Sequence, residues 1–166
     1  MFHFDNAQVQ DKKAFYQQVN TYLESMIRDE PDWLAGIANA SALLYQMMSD
    51  INWAGFYLYK SGELVLGPFQ GKPACIRISV GKGVCGSAAQ TGQIQVVPDV
   101  HLFPGHIACD SASQSEIVLP ILLNQRLIGV LDIDSPVKAR FDQEDADGLT
   151  KFINTLNRFL DWPERF

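Results

Sequence analysis

The hydrophobic period of this chain shifts from 3.6 residues to two at Asp50-Ile51-Asn52, and a last helical stripe begins after Phe141, so a sheet is expected between helical ends. From Asp11 to Arg28 the apolar residues Phe15, Val19, Tyr22, Leu23, Met26 and Ile27 form one helical stripe. Pro31 suits the first turn of a second helix running through Trp33, Ile37, Ala40, Leu44 and Met47. Trp53 to Tyr59 and Glu63 to Phe69 then read as strands joined across Lys60-Ser61-Gly62, where glycine can supply a positive φ.

Cys75 to Val80 reads as a third, short strand. Gly83 to Gln90 reads as a short helix capped by Gly92, and Ile94 to Val97 as a fourth strand. Pro98 to Ser115 is too long for a simple connection and is expected to be a lid or binding loop. Glu116 to Leu123 and Leu127 to Asp134 form a second hairpin, and Phe141-Asp142 opens a last helix whose stripe is Leu149, Phe152, Ile153, Leu156 and Leu160. The length of 166 residues fits one domain spanning 1–166. The order predicts an α+β fold, with an antiparallel sheet of about six strands. Terminal helices cover one face, and the short helix and loops cover a pocket on the other.

A formal charge of -6 leaves no basic field, which argues against nucleic acid and anionic membranes as partners and favours a small cationic or zwitterionic ligand. The N-terminus lacks a signal-peptide pattern and no apolar run reaches the ~20 residues of a membrane span, so a cytoplasmic location is expected. The chain carries Cys75, Cys85 and Cys109, each read as lying in a different loop or turn and none in a C-x-x-C unit. An odd count without a secretory signal argues against a structural disulfide framework, leaving buried inert thiols or a nucleophile with resolving partners.

Strand alternation puts Asp132 and Asp134 on one face of an otherwise apolar strand. A three-residue turn at Asn124-Gln125-Arg126 would pair Leu123 with Leu127 and set Glu116 opposite Asp134; a two-residue turn would send Glu116 to the other face. The three-residue turn is the one expected here. Trp53 and Tyr57 share a face with Gly55 between them, as core packing or as an aromatic wall for a sulfur-bearing group. His101 and His106 flank Cys109, but without closely spaced ligand pairs no metal site is expected. Asp110, beside Cys109, would oppose thiolate formation if near it in space.

The stretches Asn52-Trp53-Ala54-Gly55-Phe56-Tyr57, Gly81-Lys82-Gly83-Val84-Cys85-Gly86, Val97-Pro98-Asp99-Val100-His101, Pro104-Gly105-His106-Ile107-Ala108-Cys109-Asp110-Ser111 and Gly129-Val130-Leu131-Asp132-Ile133-Asp134-Ser135 resemble the free methionine-(R)-sulfoxide reductases, which are single GAF domains. The likeness covers essentially the whole chain. It implies Cys109 as nucleophile, Cys75 as principal resolving thiol and Cys85 as a secondary thiol. It further implies Glu116, Asp132, Asp134, Trp53 and Tyr57 as the lining of the substrate pocket, a homodimer, regeneration by thioredoxin and no cofactor. A carboxylic acid kept neutral by burial and like-charged neighbours would activate the sulfoxide oxygen, and ionised neighbours would hold the substrate ammonium. The rival readings are a GAF domain that senses a small ligand without turnover and a thiol redox switch.

Overall fold

Among the described residues, three of the four α-helices begin where an aspartate supplies an acceptor to otherwise unpaired backbone N–H groups. In this computed structural model, which describes residues 11–105, 110–164 and 166, Asp11 caps α1 (Lys12–Ile27) and Asp32 caps α2 (Trp33–Met47). Asp142 forms a capping box with Asp145 at the start of α4 (Gln143–Phe159). Pro31 therefore precedes the cap of α2 instead of sitting in its first turn, and its carbonyl accepts the Asp161 N–H at 2.9 Å. The remaining helix, α3 (Gly83–Thr91), has no side-chain cap and ends on Gly92 in the left-handed region.

The strands are β1 (Trp53–Lys60), β2 (Glu63–Gly71), β3 (Arg77–Ser79), β4 (Gln95–Val97), β5 (Ser115–Leu123) and β6 (Arg126–Ser135). They form one antiparallel sheet in the order β3-β2-β1-β6-β5-β4, so the α+β architecture with a six-stranded sheet is as expected. Alternation divides the apolar residues between two cores. Ala54, Phe56 and Leu58 of β1, Ile117, Leu119 and Ile121 of β5, and Leu131 and Ile133 of β6 pack under α1, α2 and α4. Trp53, Tyr57, Val118 and Val130 face the opposite way, toward α3 and the loops. No helix among the described residues is long and apolar enough to cross a membrane.

The second hairpin corrects the expected turn. Its loop is the two residues Asn124 and Gln125, both at positive φ, and Leu123 pairs with Arg126. Glu116 nevertheless opposes Asp134, because the register shifts between Ile121 and Leu122, leaving Ile128 as the extra residue of a β-bulge. The parity of β6 shows it: Leu131 and Ile133 face the helices, and so does Ile128. A second shift in the β1–β2 ladder, between Gly55 and Tyr57, turns both Leu66 and Phe69 toward the α3 side.

Candidate active site

The α3 side of the sheet would be an ordinary apolar face but for three carboxyl groups. Glu116 enters it from β5, and Asp132 and Asp134 enter from β6. They line a cleft walled by Trp53, Tyr57 and Cys85 and roofed by the segment after β2. Trp53 stacks on Tyr57 at 5.9 Å and on Phe69 at 5.2 Å between ring centroids. Gly55 permits this, since a Cβ there would run into Phe69 and lie 2.7 Å from the Trp53 ring. The polar ends of both rings reach across the cleft: Trp53 Nε1 donates to the Lys72 carbonyl at 3.1 Å and the Tyr57 hydroxyl to the Cys75 carbonyl at 3.0 Å.

Glu116 and Asp132 are each only 6% exposed. Burial, followed by the charges of Asp132 and Asp134, pushes the Glu116 carboxyl well above its ordinary range. Burial and the charge of Asp132 do the same to Asp134. Asp132 rises only to about 6, because hydrogen bonds from Cys85 and Glu116 favour its charged form against burial. The cluster therefore combines acids whose protons are held well above the ordinary carboxyl range with a neighbour that gives its proton up more readily, and Asp132 Oδ1 is buried without a hydrogen-bond partner.

The two described cysteines, Cys75 and Cys85, occupy different environments. Cys85 lies in α3 rather than in a loop, buried and free, with its Sγ 3.9 Å from Glu116 Oε1. Burial and the charges of Asp132 and Glu116 push its thiol up, which makes it a poor nucleophile. Cys75 sits between β2 and β3 and is disulfide-bonded. Cys109, like His106, lies outside the described residues. One ligand atom each from Cys85, Glu116 and Asp132 lie within 4.8 Å of one another, a set that could hold a metal ion. His101 is exposed on a 3-10 turn and does not line the cleft.

A polar chain at the cleft rim was not legible as a functional group in the sequence. Asp110 Oδ1 accepts from Lys72 Nζ at 3.3 Å and from the Ala112 N–H at 2.9 Å, while its Oδ2 accepts from Asn52 Nδ2 at 3.2 Å. Asn52 Nδ2 also donates to Ser113 Oγ at 3.0 Å, and Ser113 hydrogen-bonds the side chain of Asp134. These contacts, the backbone one first, hold the Asp110 carboxyl below the usual range. The only available signal was the placement of Asp110 next to a cysteine.

The model of the GAF domain family matches residues 34–159. The chain is 53% identical to the free methionine-R-sulfoxide reductase of Escherichia coli over 90% of its own length and 91% of that protein. It is 56% identical to Protein YtsP of Bacillus subtilis over 96% of its length and 99% of that protein. The crystal structure of the free methionine-R-sulfoxide reductase of Neisseria meningitidis in complex with its substrate superposes with a TM-score of 0.89 at 46% identity, covering 95% of this chain and 93% of that one. By sequence and by fold the chain belongs to the GAF family and, within it, to the free methionine-R-sulfoxide reductases.

Proposed function

We propose that this enzyme reduces free L-methionine (R)-sulfoxide to L-methionine with Cys109 as the nucleophile, Cys75 as the resolving thiol and Cys85 as a secondary thiol. The observation that carries the reading is the buried Glu116–Asp132–Asp134 cluster facing the Trp53–Tyr57 wall. A sulfoxide sulfur becomes electrophilic when its oxygen receives a proton, and Glu116, kept neutral by burial and its neighbours, is the group suited to give one. Ionised Asp132, with an open Oδ1, is suited to the substrate ammonium. A peptide-bound methionine sulfoxide has no ammonium and would leave that charge unpaired, which accounts for selection of the free amino acid.

In the reaction the Cys109 sulfur attacks the protonated sulfoxide, the sulfur–oxygen bond of the substrate breaks, and methionine leaves while the oxygen remains on cysteine as a sulfenic acid. The Cys75 thiol then displaces that oxygen as water and a disulfide forms. The disulfide-bonded state of Cys75 supports its redox role. Thioredoxin, as a dithiol donor, reopens the bridge; the site of action is the cytoplasm, the working unit is a homodimer, and the single GAF domain extends over 1–166.

Mixing the reduced protein with racemic methionine sulfoxide tests the reading. Two thiols lost per methionine formed, with half the racemate consumed, are expected. A sensor would release no methionine, and a redox switch would lose thiols without releasing any. Cys109→Ser should abolish methionine formation, whereas Cys75→Ser should give up to one turnover per chain and stall. A Cys109→Ser protein that still turns over would sink the mechanism.

A further inference from the structure

The chain segments that precede Cys75 and follow Cys109 meet through one polar clamp. Lys72 lies three residues before Cys75, Asp110 directly follows Cys109, and their ion pair spans 38 positions of sequence. No strand pairing links the two segments among the described residues, since β2 ends at Gly71 and β5 begins at Ser115. Asn52 secures the far side: its side-chain amide holds Asp110 and Ser113, and its backbone N–H is fixed to the Asp134 carbonyl at 2.9 Å. Asn52 Oδ1 is buried and unpartnered. That orientation leaves an acceptor unsatisfied in order to point the donor at both acceptors, whereas the reverse orientation would press a carbonyl against the Asp110 carboxylate.

We propose that Lys72 and Asn52 are positioning residues for the resolution step, clamping Asp110 so that the sulfenic acid formed on Cys109 meets the Cys75 thiol. The inference rests on the roles proposed above for these two cysteines. In the step concerned, the sulfur–oxygen bond of the sulfenic acid breaks, the sulfur–sulfur bond forms, and the oxygen leaves as water with the Cys75 proton. The clamp is formed with Cys75 disulfide-bonded, which is the product state of this step. Lys72 is 69% exposed, so replacing it does not threaten the core.

The test is a rapid-quench single turnover on the reduced, full-length protein that follows methionine release and thiol loss separately. In Lys72→Ala the ratio of closure rate to methionine-forming rate should fall about threefold to fivefold, the range of an exposed ion pair. Asn52→Ala, which removes two bonds in a less exposed place, should lower it about tenfold or more. In both variants dimedone should trap more sulfenic acid than in wild type. Lys72→Arg should restore the ratio, and added salt should slow closure in wild type but not in Lys72→Ala. A wild-type ratio in both alanine variants, or equal loss of both rates, would overturn the inference and leave the enzyme reading intact. Absence of methionine release from the wild type would instead overturn the enzyme reading.

Discussion

Glu116 and Asp132 are both carboxyl groups and equally buried, yet hydrogen bonding drives them apart. Asp132 accepts from both Glu116 and Cys85 and keeps the lower affinity for a proton. Their substitutions should therefore fail differently. Glu116→Gln should slow the methionine-forming step by roughly 10²-fold or more, as loss of a general acid does, with a smaller change in substrate affinity. Asp132→Asn should chiefly weaken binding, by on the order of 2 to 5 kcal/mol for a buried charged contact. Single-turnover kinetics over a range of substrate concentrations separates the two, and wild-type behaviour in both would show that the acids are not used. These residues stood out in the sequence because strand alternation makes a carboxylate on an apolar face conspicuous. Asn52, Lys72 and Ser113 did not, because they meet through loops, where no period constrains which side chains converge.

The β5–β6 hairpin shows how an element can deliver the right residue by an unexpected path. From the sequence, the length of the turn is expected to decide which face Glu116 takes; in the fold a bulge at Ile128 stands between the turn and the site. The turn is thereby decoupled from the register of the acids, which is anchored by the burial of Ile117, Leu119, Leu131 and Ile133 on the helical face. One glycine inserted between Asn124 and Gln125 should leave the methionine-forming rate within about twofold, because it lengthens only a surface loop. The same insertion between Leu131 and Asp132 should abolish activity and lower the unfolding midpoint, because it turns buried residues of β6 outward. Activity and thermal unfolding of the two variants check this. The helices are easier to read, as aspartate caps and apolar stripes leave local marks, and Pro31 lies two positions before its expected place in the first turn because Asp32 takes the cap.

Across the whole molecule the acid cluster links stability to pH. Glu116, Asp132 and Asp134 have folded-state affinities for protons above those of the unfolded chain. Their contribution is therefore complete below about pH 4, the ordinary carboxyl range, and is lost as pH rises through the folded values. For Asp132 that value is about 6, so by pH 8 this one group costs on the order of 3 kcal/mol relative to its protonated state. Asp110 and Asp142 act in the opposite sense, contributing above about pH 4 and ceasing to do so in more acid solution. The thermal midpoint should fall from pH 5 to pH 8, and Glu116→Gln should flatten that fall. Calorimetry across this interval checks it, and a midpoint that rises with pH would contradict the burial of ionising acids. The aromatic architecture also has an optical consequence. Trp33 and Trp162 stack on each other at 6.3 Å on the helical side of the sheet, whereas Trp53 is the tryptophan that lines the cleft, with its indole N–H on the Lys72 carbonyl. With Trp33 and Trp162 replaced by phenylalanine, the emission of the protein would come from a single indole at the mouth of the site, so each turnover could be followed without a label.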